Sequence, residues 1–218
     1  LEHLRVTAAS HPASDLPLVV VEARGARSVV LDCRIDGHIM VRSQSASVRA
    51  TSASGVIAEE ADRLSISRCQ FHGNRLNIGV HLIGGSGQEV DSCQFSNHLC
   101  AIRATSTTGT IVRGNNAVAR WWGIHLEQTD GAHVYGNFIE HTMRGIDIDG
   151  GTQAVVDGNA ITDGDSGCIV EWGASDCQVS GNRWERCRVG VLAWDDSNLR
   201  LHHNEAIDIH GAEFTAGP

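Results

Sequence analysis

From residue 79 onward, apolar and polar residues alternate in short bursts that are reset by turn-forming residues at a near-constant interval. Segments opening on glycine recur as GIHLE at Gly123, GIDID at Gly145, GCIVE at Gly167 and GVLAW at Gly190, and GVHLI at Gly79 and AIRAT at Ala101 fit the same frame. A second signal runs in phase with the first. Gly114-Asn115, Gly136-Asn137, Gly158-Asn159, Gly181-Asn182 and His203-Asn204 follow one another at spacings of 22, 22, 23 and 22. Alternation of period two, rich in β-branched residues and bounded by Gly, Asn, Asp or Ser, predicts strands, because successive side chains of a strand point to opposite faces. A period of about 22 residues held over most of the chain predicts a solenoid whose repeats stack and share one core. Cys93, Cys69 and Cys33 stand where the Asn would stand further upstream, each three residues after Val90, Ile66 or Val30. The 36 residues between Cys33 and Cys69 fit two shorter turns. The chain is therefore expected to be one domain, residues 1–218, with clear repeats over 89–210 and shorter, irregular turns over 1–88.

Parity assigns the faces. Val80, Ile102, Ile124, Ile146, Cys168 and Val191 form one inward stack of the glycine-led strand, and Leu82, Ala104, Leu126, Ile148, Val170 and Ala193 form another. Val112, Val134, Val156, Val179 and Leu201 do the same in the strand before the Asn. The Asn column is expected to ladder at a bend, its amides satisfying backbone groups of adjacent turns. The outward columns then read His81, Arg103, His125, Asp147, Ile169, Leu192 and Ile83, Thr105, Glu127, Asp149, Glu171, Trp194.

The V-x-G-N segments followed by G-I-x-L resemble the repeats of the pectin-lyase-like superfamily, in particular its carbohydrate-binding and sugar-hydrolase modules. The resemblance covers roughly residues 28–210. It implies an all-β fold, a single-stranded right-handed parallel β-helix of about nine turns, and it leaves the chemistry open, since one fold hosts many functions.

Composition narrows the partners. The net charge of −9, with all 17 basic residues arginine and scattered, argues against nucleic acid, whose phosphates need clustered cations. No apolar run approaches the length of a membrane span, so a soluble protein is expected, cytoplasmic or secreted. Seven cysteines without a CxxC pair read as buried thiols.

The outward columns carry the candidate site. Asp147, Asp149, Glu127 and Glu171 with His125 form an acidic patch, and like charges on adjacent rungs, about 4.8 Å apart, repel by roughly 1 kcal/mol per pair in water. Asp149, between two carboxylates in its column, is the expected acid with raised pKa, and Asp147 the base or cation ligand. Arg103, Arg120, Arg144, Trp121, Trp122, Trp172 and Trp194 are the expected substrate contacts, because flat aromatic faces beside carboxylates suit a sugar. Glycoside hydrolysis fits two carboxyls, and a lyase or epimerase reaction fits Arg with His125 and a hard cation such as Ca²⁺. No HxH or HExxH spacing points to a transition metal. The expected partner is a poly- or oligosaccharide. The competing expectation is a non-catalytic carbohydrate-binding or assembly module, capped by another domain or subunit.

Overall fold

The computed structural model describes residues 4–10, 17–23, 28–31, 38–42, 45–49, 52–194 and 198–216. Cys33, Asp195 and Asp196 lie outside the described residues, so the first Cys of the upstream column and the two acids after Trp194 are not placed.

Among the described residues every regular element is a strand, arranged as a right-handed parallel β-helix. One sheet holds nine parallel strands, from Ser28–Leu31 through Glu89–Asp91 and Val155–Asp157 to Arg200–His202. Their first residues step by 18 (28 to 46) and 19 (46 to 65), then by 22 to 24. The β-helix thus makes about seven turns of this spacing, slightly fewer than the nine expected, and the shorter steps of 18 and 19 lie upstream of them. At the N-terminus the order changes, for Leu4–Ser10 pairs antiparallel with Pro17–Ala23, and only the latter continues in parallel to His38–Val41.

The second sheet has seventeen strands because it covers two faces. Gln94–Thr105 and Asn116–Asp130 run without a break around the corner between them. A short middle strand, such as Phe138–Glu140, Ala160–Thr162 or Arg183–Glu185, therefore lies between the two strands that the repeat makes obvious. Its single inward residue per turn, Phe71, Phe95, Ala117, Ile139, Ile161 or Trp184, is buried in the core with the other stacks.

Close approach at the corner explains the glycine column. A Cβ on Gly123 would lie 2.5 Å from the carbonyl oxygen of Gly145 and 2.5 Å from Ile139 Cγ2, and one on Gly167 would strike the Trp184 indole and the Gly190 carbonyl. Each glycine thus makes room both for the rung above and for the large residue of the middle strand.

The Asn ladder closes the opposite corner. Asn115, Asn137, Asn159 and Asn182 are buried, and each accepts through Oδ1 from the backbone N of the preceding turn, at 2.9 to 3.0 Å. Their Nδ2 groups donate to Val90, Val112, Val134 and Val156 carbonyls. Buried amides that would otherwise lack partners at the bend are satisfied in this way. Cys93 continues the column, with Cys69 N pointing at its Sγ at 3.4 Å.

Candidate functional site

Register places the outward residues as parity requires. His125 pairs with Asp147 and Asp147 with Ile169, while Glu127 pairs with Asp149 and Asp149 with Glu171. The patch nevertheless differs from a solvated strand face. Asp147 is 1% exposed, His125 6% and Glu171 7%. Ile169 and Leu192, further along the same outward column, are buried with Val189 in a small apolar cluster of their own.

The expected repulsion among carboxylates is met by two guanidinium groups. Arg144 Nη1 donates to Asp147 Oδ2 at 2.7 Å and to Glu171 Oε1 at 2.8 Å, so it bridges two turns. Arg103 Nη2 donates to Glu127 Oε2 at 2.6 Å, and the Thr105 hydroxyl donates to the same oxygen at 3.0 Å. Trp122, in register with Arg144, donates its indole Nε1 to Asp147 Oδ2 at 2.8 Å and stacks on His125, with centroids 5.1 Å apart and planes 10° from parallel. Arg144, Arg103 and Trp122, expected to contact substrate, are thus first of all the supports of the acids.

Asp149 is the carboxylate left outside this network. Its Oδ2 lies 3.7 Å from His125 Nε2. Burial pushes its carboxyl above the ordinary carboxylate value, and the charges of Asp147 and Glu127 act in the same direction against the pull of His125. Burial likewise pushes the His125 imidazole down, the nearby Asp147 opposing it. Burial also acts upward on Glu127, but the hydrogen bonds from Arg103 and Thr105 outweigh it and hold that carboxyl below its usual value. Two carboxyls on adjacent rungs are therefore driven apart, one towards the acid form and one towards the anion.

The buried polar atoms of the patch are not all satisfied. Among the described residues seven buried side-chain polar atoms lack a hydrogen-bond partner, and three of them, Asp147 Oδ1, His125 Nδ1 and Arg103 Nε, belong here. Unsatisfied buried groups are rare enough that such a concentration calls for a reason.

The remaining expected site residues differ in exposure and setting. Trp121, 36% exposed, is tilted 55° from Trp122, so the pair does not form one flat platform. Trp172 is 73% exposed with a left-handed φ of 58°, and Trp194 is 39% exposed. Asp163 and Asp165, on the flanking turn, are paired with Arg186 and Arg188. Arg120 is not at the acidic patch: it lines a separate depression with Arg75, Asn97, His98 and His141. Arg75, Asn97 and His98 carry no repeat signal and escape a reading based on periodicity.

A cation cage is not formed. Among the described residues no group of three or more His, Cys, Asp or Glu side chains stands close enough to hold a metal ion. A Ca²⁺ at the acidic ladder, which the lyase or epimerase reading admits, would meet carboxylates already held by Arg144 and Arg103.

The fold, its Asn corner and its glycine corner define a parallel β-helix protein with a pectin-lyase-like fold. The sequence matches the NosD family model, described as "Periplasmic copper-binding protein (NosD)", over residues 23–175 and 119–215, and the chain belongs to that family. No individually curated protein matches it in sequence. Among solved structures, an alginate lyase from Paenibacillus sp. str. FPU-7 superposes with a TM-score of 0.71 at 11% identity, over 92% of this chain and 91% of the other. PfbA, a surface adhesin of Streptococcus pneumoniae, superposes with a TM-score of 0.61 at 9% identity, over 94% and 66%. At such identities the likeness is one of fold.

The family description raises copper, which soft thiolate ligands would favour. The described cysteines do not fit that role. All six are buried, the Cys100 thiol is pushed up to about 12 by burial, and burial pushes Cys168 up as well. With no cluster of three ligating side chains among the described residues, they do not form a copper site.

Proposed function

We propose that the protein is carbohydrate-active and engages a poly- or oligosaccharide on the outward face that carries His125, Glu127, Asp147, Asp149 and Glu171. The observation that carries this reading is the position of Asp149, a half-buried carboxylate outside the Arg144 and Arg103 network and 3.7 Å from His125 Nε2, where a sugar hydroxyl can reach it. The exposed indole of Trp121 beside the patch offers an apolar face for a sugar ring.

Within that reading the residues divide by environment. Asp149 is the proton donor, because burial and neighbouring anions favour its acid form, and His125 at 3.7 Å exchanges the proton with it. Glu127, held as the anion by Arg103 and Thr105, is the paired carboxylate that supports positive charge or activates water. Asp147, Arg144 and Glu171 form a rigid floor, a change from the base or cation-ligand role expected for Asp147, because both Asp147 Oδ2 donors are internal. The alginate lyase likeness is compatible with acid–base chemistry on a polysaccharide, and the adhesin likeness with binding alone.

The test is turnover and binding on a panel of neutral and acidic polysaccharides. Asp149→Asn is expected to reduce turnover by at least a hundredfold while affinity stays within about twofold. Binding by the parent protein with no turnover on any polymer leaves the binding-module reading. Full turnover in Asp149→Asn removes the assigned acid.

A further inference from the structure

The depression that contains Arg120 lies apart from the acidic patch and has the opposite chemistry. Its volume is about 370 Å³, and its walls are Arg75, Asn97, His98, Val118, Ala119, Arg120 and His141, with no carboxylate among them. Seven other arginines, Arg42, Arg103, Arg113, Arg144, Arg183, Arg186 and Arg188, each meet a carboxylate. Arg75 and Arg120 form no ion pair with a described residue, yet both border the same cavity.

The cavity is built by local irregularity. The pairing of Gln94–Thr105 with Asn116–Asp130 shifts register between Phe95 and His98 and again between His98 and Cys100, where His98 faces Ala119. Asn97 takes a left-handed φ of 61°, its Nδ2 donates to the Gly73 carbonyl at 2.7 Å, and its Oδ1 accepts from Arg75 Nε at 3.0 Å. Arg75 is thereby anchored at the cavity through one nitrogen. Bulges of this kind re-aim side chains beside sites.

His98 supplies a second independent sign. It is fully buried, its Nδ1 is 3.2 Å from Asn77 Oδ1, an atom that can only accept, so Nδ1 carries the proton. Nε2 is then a lone pair, and it has no partner among the described residues. A cavity bordered by two arginines that form no ion pair with a described residue suits a ligand that brings an oxyanion.

The geometry points to this cavity as a second binding site, for the carboxylate or sulfate of a small hydroxylated ligand held between Arg75 and Arg120. A cavity of this size accepts a ligand of one or two rings, at the lower end of small-molecule sites. His141 lines the same wall.

Calorimetric titration of the whole protein at low ionic strength tests the site, with inorganic sulfate, glucuronate, glucose 6-sulfate and glucose as probes. A charged probe is expected to bind, and Arg75→Gln and Arg120→Gln each to weaken it by about tenfold or more, the loss of one charged hydrogen-bonding partner. Arg183→Gln, on an exposed ion pair elsewhere, should leave it unchanged. Tighter binding of the sugar-borne anions than of sulfate identifies an acidic sugar as the ligand, and the reverse order identifies a free oxyanion. Asp149→Asn should not alter this binding, so failure of the acidic patch as a catalytic site would leave the second site standing. Equal binding of glucose, no binding of any charged probe, or unchanged affinity in both arginine variants would overturn it.

Discussion

Trp122 donates its indole N–H to Asp147 at 2.8 Å across two turns of the β-helix, 25 residues apart in sequence. The bond holds a carboxylate that is 1% exposed, and the same indole lies flat against His125. One aromatic residue therefore fixes both a carboxylate and an imidazole of the patch. Trp122→Phe keeps an aromatic face on His125 but removes the donor. The expected loss is about 1.5–3 kcal/mol, the usual worth of a hydrogen bond to a charged group, read from urea unfolding. A change within a few tenths of a kcal/mol would mean that Arg144 alone satisfies Asp147.

Arg144 is the larger support. Its removal strands two carboxylates whose side chains are only 2% and 9% exposed. Arg144→Met should cost about 3–5 kcal/mol, the range for breaking a buried pair from one side. Asp147→Asn added to Arg144→Met should recover part of that cost, because the stranded charge is then gone. A double-mutant cycle with zero coupling would contradict the bridge.

The glycine column makes a separate prediction about the fold. Gly145 has no left-handed φ, yet a Cβ there would run into the Gly167 carbonyl and the Ile161 side chain. Gly145→Ala should destabilise by roughly 1–3 kcal/mol through overpacking. Gly136, whose Cβ would meet nothing within 4 Å, has a φ of 63°, so Gly136→Asn should be tolerated far better. Thermal unfolding of the two variants side by side separates crowding from backbone strain.

The pH dependence of stability should carry the mark of His98. Burial lowers its pKa to about 4 from the ordinary 6.5, so the native state resists a proton that the unfolded chain accepts. Its contribution is fully present above pH 6.5 and is lost as pH falls through about 4. The difference between those values corresponds to about 3 kcal/mol. His98→Gln should flatten the acid limb of the stability profile by an amount of that order, while its stability above pH 7 changes independently. An unaltered acid limb would show that His98 is not the titrating group.

The sequence by itself determined the architecture. A two-residue alternation locked to a 22-residue period has one good solution, because each turn can bury its apolar side chains only by stacking on the next. Ile124, Ile146 and Cys168 had to be inward, and so Asp147 and Asp149 had to be outward on one face. Composition of the columns also exposed the Asn ladder, since a buried bend needs an amide to satisfy the backbone. The middle strand was less visible, as it places only one residue per turn in the core, and Phe138–Glu140 alone looks like any tripeptide. What tertiary structure decided was everything that depends on side-chain reach. Periodicity gives the direction of a Cβ and not where a long side chain ends, so it set Arg144 near the patch without showing that one guanidinium spans Asp147 and Glu171. It placed Trp122 on a rim, where the indole in fact turns to Asp147. It grouped Arg120 with the acids because they are close in sequence, whereas Arg120 lines a separate depression with Arg75, beside a register shift at His98 that no repeat encodes. Parity follows from the backbone, but burial and pKa follow from neighbours contributed by other turns, and these exist only once the turns are stacked.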